Sequence, residues 1–295
     1  VTTPADLLPD VRLDGRVALV TGSSRGLGAA TAVRLAAMGA SVVVTYRSRS
    51  AEALAVAEAI RATGGTAWVH PLDLADPASV DALFDALVVA DGPGRLDVLV
   101  ANAAATSLRP LLEQKPHNVR RTFAITVDGF LQSVQRAVPL MDAAGGGRIV
   151  AVSGIDTVSW APAHGLLAAA KAAMETLVTY LNVELGPRGI TAVGVNPDAF
   201  LGESVRLMLG DQYDLLVEQN ARVHPLRETA TAETVAGVVA LLCTPAARWL
   251  SGHTVMADGA ASFAQRGVAM GLAARLLAPA ADTSAAPSIP RAEAD

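Results

Sequence analysis

A chain of 295 residues and about 30 kDa has room for one large domain or two small ones. With 52% apolar and 17% charged residues it can bury a sizeable core, so global disorder is excluded. A net charge of −5 without a basic stripe argues against nucleic acid as a partner, and the single cysteine, Cys243, excludes an internal disulfide or a cysteine-based zinc cluster.

Alanine supplies about a fifth of the chain, and the basic residues are nearly all arginine, with only Lys115 and Lys171 as lysines. Residues 1–15 read as a polar arm running over the surface, marked by Pro4 and Pro9. The acidic start around Asp6 is unlike the basic opening of a secretory signal, which points to the cytoplasm. From Arg16 onward, short β-branched runs alternate with longer Ala/Leu-rich stretches of helical period. The runs fall at 17–20, 41–45, 67–70, 98–100, 148–152, 190–195 and 254–256. Helices are predicted near 26–38, 51–63, 77–90, 117–143, 163–186 and 231–244. The longest strongly apolar run, Val235 to Cys243, is about half of what a bilayer requires and reads as a buried helix, so no membrane association is expected.

Strands that are apolar throughout, rather than alternating, are covered on both faces, as in a parallel sheet between helical layers. The expected fold class is therefore α/β: a single Rossmann-like, doubly wound parallel sheet of about seven strands over residues 16–262. Residues 198–230 interrupt the rhythm and are expected to form a lid over the carboxyl edge of the sheet, where ligands bind in such folds. Residues 263–295 read as an extension with a helix over 265–277 and a disordered Pro/Ala/Ser tail.

The first strand runs into Thr21-Gly22-Ser23-Ser24-Arg25-Gly26-Leu27-Gly28 and then a helix. Glycines at this spacing permit a tight turn and let backbone approach a pyrophosphate at a helix N-terminus, where free N–H groups favour negative charge. At the end of the second strand, where an acidic residue would take a ribose 2′-hydroxyl, stand Arg47 and Arg49, with Arg25 in the loop itself. Guanidinium groups suit a 2′-phosphate, so NADP(H) is expected in preference to NAD(H).

These features resemble the short-chain dehydrogenase/reductase family over about residues 16–262. Thr21-Gly22-x-x-x-Gly26-x-Gly28 matches its TGxxxGxG loop. Asp73-Leu74 matches the aspartate beside the adenine, and Asn102-Ala103-Ala104 its NNAG motif with Ala104 in place of glycine. Ser251 through Gly259 is similar to its closing TGQxxxVDGG. The resemblance implies that Thr21, Gly22, Ser24, Arg25, Gly26, Leu27, Gly28, Arg47, Asp73, Leu74, Asn102, Lys171 and Pro197 hold the cofactor. It also implies a homodimer or homotetramer.

Members of this family use an Asn-Ser-Tyr-Lys tetrad, and only Lys171 matches it. Counted without gaps, the Tyr position is Leu167, the Ser position Gly154 (Ser153 lies one residue early) and the Asn position Thr126. Pro197-Asp198 replaces the PG after the sixth strand, and Gly202 replaces a threonine. Some enoyl-thioester reductases of the family space the pair as Tyr-x6-Lys, which puts His164 at the proton-donor position; an imidazole can serve there near neutral pH. Lys171 and His164 are the catalytic candidates, with Tyr213 and His224 in the lid as further residues able to face the pocket. A positioned general acid is worth ~10²–10⁴-fold, so its loss favours acceptors that take hydride readily: enoyl, enone, quinone or imine. The leading expectation is an NADPH-dependent oxidoreductase reducing such a small molecule. The alternative is a non-redox homologue: a binding scaffold, an inactive partner subunit, or an isomerase or cyclase.

Overall fold

In the computed structural model of the chain, residues 11–89, 92–161, 163–197 and 213–264 are described. Strands β1 (Val17–Val20), β2 (Ser41–Tyr46), β3 (Ala67–Pro71), β4 (Val98–Ala101), β5 (Gly147–Val152), β6 (Ile190–Pro197) and β7 (Thr254–Ala257) form one sheet. Their order is β3-β2-β1-β4-β5-β6-β7 and every pairing is parallel. The order reverses between β1 and β4, which opens a crevice at the carboxyl ends of these strands.

Helices α1 (Gly26–Ala37), α2 (Ser50–Ala62), α3 (Pro77–Val88), α4 (Pro116–Phe123), α5 (Gly129–Ala143), α6 (Gly165–Leu185), α7 (Tyr213–Val223) and α8 (Ala232–Leu242) cover both faces. Alternate strand residues serve separate cores. Leu19, Val43, Leu99, Ile149 and Ala192 pack with Phe84, Phe130, Met174 and Val178 from α3, α5 and α6. Ala18, Val20, Val42, Val100, Val150 and Val195 pack with Leu35, Ile60 and Val239 from α1, α2 and α8. Two helix starts are fixed by their own side chains: Asp76 accepts from the Ala78 N–H at 3.1 Å, and Thr231 from the Thr234 N–H at 3.2 Å.

The structure departs from the expected pattern in two places. The helix predicted over 117–143 is two helices joined by a π-helical turn, Ala124–Asp128. Just past it, Gly129 lies so close to the Leu74 backbone that an added Cβ would sit 2.5 Å from the Leu74 carbonyl oxygen. The N-terminal arm does not run wholly over the surface: Leu13 is buried in the α1–α8 core, and its N–H donates to the Met38 carbonyl at 2.8 Å. One apolar side chain there covers a gap that a polar arm would leave open. Residues 198–212 of the expected lid, with Asp198 and Gly202, and the helix expected over 265–277 lie outside the described residues. Among the described residues no helix is long and apolar enough to cross a membrane.

Candidate active site

The glycine loop sits at the crevice between β1 and β4. The Thr21 hydroxyl accepts from the Asn102 and Ala103 N–H groups at 2.9 and 3.0 Å, and Asn102 Nδ2 donates to the Thr21 carbonyl at 2.9 Å. Asn102 thus ties β4 to the loop and fixes the loop's shape. Ser23, buried and not among the expected site residues, donates to the Val20 carbonyl and accepts from the Thr45 N–H. Each glycine answers a different demand. Gly22 has φ +66, and a Cβ there would meet Ala103 at 2.9 Å; a Cβ at Gly28 would strike the Gly22 carbonyl at 2.4 Å. Gly26, with φ +56, faces open space. Arg25 enters α1 without a side-chain cap, and the first turn carries no acidic residue. The first N–H groups of α1 are therefore directed at an open, glycine-lined surface, which fits a pyrophosphate.

Other expected residues lie in the loop itself or at the carboxyl ends of β2, β3 and β6. Arg47 and Arg25 are exposed at the ends of β2 and the loop. Arg49 is paired with Glu52 at 2.8 Å, and Glu52 is held below the usual carboxylate range by its own backbone N–H first, then by Arg49, with a smaller pull from Arg25. Asp73 follows β3 and accepts from the Ala75 N–H at 3.0 Å; Leu74 and Leu27 are buried, Ser24 is half-buried, and Pro197 ends β6 opposite Ala257.

Lys171 lies on α6 with 4% of its surface exposed, and its ammonium donates to the Val152 carbonyl at the end of β5. Burial brings its pKa down to about 8, against the opposing pull of Asp156 and Glu175. One helical turn on, the Glu175 carboxylate accepts from the Ser153 hydroxyl, and the Thr157 hydroxyl lies 3.0 Å from it. Asn196 Nδ2 donates to the Thr157 hydroxyl at 2.8 Å. Ser153 is thereby committed to Glu175. Asp156, in the 3₁₀ turn Ile155–Thr157, has its carboxyl pKa raised by burial, with His164, its own backbone N–H and Lys171 opposing. His164 is half-buried at the residue before α6. Among the described residues, the buried Thr126 Oγ1, Asp156 Oδ2 and Asn196 Oδ1 have no hydrogen-bond partner.

His224 is bound to backbone at both ring nitrogens: Nδ1 accepts from the Leu226 N–H at 3.1 Å, and Nε2 lies 3.2 Å from the Asp258 carbonyl oxygen. It packs beneath Gly259 and serves the fold. Tyr213 is the first residue of α7. Asp156 and Glu175 were missed from sequence. Glu175 carried a usable signal, since it lies four residues after Lys171 on the same helix face. Asp156 carried none, because only the folded turn returns it toward Gly154.

At the opposite, amino edge a cleft is lined by Arg16, Asp97, Arg148, Cys243 and Arg248. It contains none of the expected site residues. Arg148 is buried there and donates to the carbonyls of Leu242, Ala247 and Leu250 and the hydroxyls of Thr191 and Ser251, at 2.7–3.1 Å. Burial brings its pKa down to about 10, with Cys243 opposing, and pushes the Cys243 thiol up to about 12, with Arg148 opposing. Asp97 accepts from Arg95, Arg16 and the Val17 N–H.

Residues 22–262 match the family model described as enoyl-(acyl carrier protein) reductase. The 1-cyclohexenylcarbonyl-CoA reductase of Streptomyces collinus is 34% identical over 266 residues, covering 88% of this chain and 94% of that protein. Among solved structures, the gluconate 5-dehydrogenase of Burkholderia cenocepacia J2315 in complex with NADP and tartrate superposes with a TM-score of 0.78 at 28% identity, covering 87% and 98% of the two chains. The angucycline C-6 ketoreductase LanV with bound NADP gives 0.78 at 32% identity, covering 85% and 97%. The glycine cradle, the strand order and these matches lead to one assignment: the chain belongs to the short-chain dehydrogenase/reductase family of oxidoreductases.

Proposed function

We propose that this chain is an NADPH-dependent reductase with a non-standard active site, acting in the cytoplasm on a small activated acceptor of the enoyl, enone, quinone or imine type. The observation that carries this reading is the buried ammonium of Lys171 at the carboxyl edge of β5, on the same sheet edge as an uncapped, glycine-lined helix start. When bound, the reduced nicotinamide supplies a hydride. Thr21, Gly22, Ser24, Gly26, Leu27 and Gly28 would cradle the pyrophosphate, Arg25 and Arg47 would take a 2′-phosphate, and Asp73, Leu74, Asn102 and Pro197 would border the rest. Lys171 has donors left beyond its bond to Val152 and would offer them to ribose hydroxyls.

The acceptor class follows from what stands in the pocket. Leu167, one turn before Lys171, carries no proton to give, so a simple ketone would forgo the ~10²–10⁴-fold of a phenol in that place. The rim is apolar. Leu108, Leu111 and Leu112 precede α4, Val158 and Trp160 precede α6, and all are exposed; the Leu111 side chain would be 3.1 Å from a Cβ at Gly165. Such a rim favours a hydrophobic acceptor, in keeping with the coenzyme A thioester and the angucycline named for two of the relatives.

The test is a fluorescence titration with NADPH and NADH, followed by turnover with unsaturated thioesters, quinones and cyclic imines. Tighter NADPH binding and oxidation by one of these classes are expected. Absence of binding by either dinucleotide would refute the reading. Gly154 and Leu167 favour a second reading, a non-redox homologue; NADPH binding without turnover of any of these classes would select it. Light scattering would test assembly as a homodimer or homotetramer.

A further inference from the structure

The cleft at the amino edge encloses about 230 Å³ among the starts of β1, β4, β5 and β6 and the turn after α8, at the opposite ends of the strands from the glycine loop. Its charges do not balance. Arg16, Arg148 and Arg248 line it, against one carboxylate, Asp97. That carboxylate is already committed: it is buried and accepts from Arg16, from Nε and Nη2 of Arg95 and from the Val17 N–H. Arg148 is satisfied in hydrogen bonds but not in charge. Its five acceptors are neutral oxygens, and among the described residues no carboxylate bears on it. A buried cation without a counter-charge is costly, and an anion placed beside it lowers that cost.

Three donor groups along this cleft remain open. Arg248 is exposed, and its guanidinium makes no hydrogen bond or ion pair among the described residues. Arg16 gives Nη1 to Asp97 and keeps Nε and Nη2, with 47% of its side chain exposed. The Thr191 hydroxyl accepts from Arg148 Nη1 and still has its own proton to give, polarised by the buried guanidinium behind it. Helix carboxyl ends face this edge of the sheet, and their dipoles oppose an anion. Arg148 offsets that at α8 by donating to the Leu242 carbonyl, the last residue of the helix. On the facing wall Gly145, at φ +83, has nothing within 4 Å of the place a Cβ would occupy, so a ligand meets bare backbone there.

We propose that this cleft binds a small phosphate-bearing molecule, with the phosphate held by Arg16, Arg248 and the Thr191 hydroxyl over the buried charge of Arg148. A dianion matches three guanidinium groups set against one carboxylate. Phosphate oxygens accept from several directions at once, which suits donors carried on three separate elements. The volume lies below the ~300–1,000 Å³ of sites for drug-sized ligands, so the organic part is small. The site stands apart from the reductase reading, because none of its residues belongs to the glycine loop or to the surroundings of Lys171.

Heteronuclear NMR of the isotope-labelled full chain, titrated with inorganic phosphate at about pH 8 where phosphate is a dianion, reads the two edges of the sheet separately. The Gly145, Thr191 and Arg248 amides are expected to shift saturably, with a Kd of about 1 mM or below at constant ionic strength. Shifts at Gly22 and Gly26 report phosphate at the glycine loop and are scored on their own. Arg248→Ser removes an exposed side chain that anchors nothing, so it should fold as wild type does and weaken binding at the cleft at least ~10-fold. Thr191→Val should weaken it as well, and Thr191→Ser should restore it. Acetate, with one charge, should bind there at least ~10-fold more weakly than phosphate. Shifts confined to the glycine loop, shifts at the cleft that do not saturate, cleft binding unchanged in Arg248→Ser, or acetate equal to phosphate would each overturn the proposal.

Discussion

Replacing Lys171 by methionine tests the electrostatics of the pocket without reference to any substrate. In the folded chain burial brings the lysine from its ordinary 10.5 to about 8, even with Asp156 and Glu175 pulling the other way. That difference corresponds to about 3 kcal/mol of stability lost by forcing an ammonium into this site. The direction with pH is fixed. Below about pH 8 the lysine is protonated in both folded and unfolded chains, and the whole penalty is present. Between pH 8 and 10.5 the folded chain sheds the proton first, so this group's penalty fades and stability rises. Above 10.5 the penalty is gone. Lys171→Met also leaves the Val152 carbonyl without its donor, a pH-independent cost of about 1–2 kcal/mol. Urea denaturation followed by circular dichroism at several pH values between 7 and 10.5 isolates the lysine as the difference between the two proteins. The stability of wild type relative to Lys171→Met should climb by about 3 kcal/mol across that window. Parallel pH profiles for the two proteins would refute the reasoning.

Three further outcomes follow from other parts of the molecule. Gly28→Ala places a Cβ 2.4 Å from the Gly22 carbonyl, backbone against backbone, and should cost about 1–3 kcal/mol in a thermal melt and weaken NADPH binding at least tenfold; a normal melt with normal binding would contradict the packing role. On the proposed NADPH reading, the double change Arg25→Ser and Arg47→Ser would remove two charge-assisted bonds to a 2′-phosphate and should raise the Kd for NADPH by ~10–100-fold while leaving NADH unchanged, as read by fluorescence titration. Arg148→Lys cannot reach five acceptors with three donors, so stability should fall by about 2–3 kcal/mol in a urea melt, and unchanged stability would contradict the clasp.

The sheet was legible because its inner strands are apolar runs buried along nearly their whole length, even though the edge strands β3 and β7 are only half-buried, and because its helices repeat small apolar residues at helical spacing; the seven runs read from sequence coincide with β1 to β7 to within two residues at either end. The cradle was legible for a related reason: glycines leave few alternatives between a strand and a helix, and each of the three meets a demand that a side chain would violate or obstruct. The π-helical turn at Ala124–Asp128 was not legible, since no residue type marks a widened turn and the apolar period runs through it. Leu13 was hidden by its polar neighbours. The polar groups of the candidate site were the least legible. Lys171 stood out by its rarity, and His164 by its spacing, but Asp156 reaches Gly154 only through the fold of a three-residue turn. His224 shows the reverse hazard: a histidine in the right segment whose ring the backbone has already claimed.

The amino edge of the sheet carries the Arg148 clasp and the Asp97 pairs, while the glycine loop, Asp156 and Lys171 all lie at the carboxyl edge. The strands run the full length between them, so a change of side chain at one edge leaves the anchoring bonds of the other intact. Catalytic residues in such a layout are cheap to exchange. Residues at the carboxyl edge such as Gly154 and Leu167 can vary while the polar anchoring that holds β5, β6 and the approach to β7 together stays untouched. The scaffold tolerates chemical novelty at its rim because so much of its polar anchoring is at the far end.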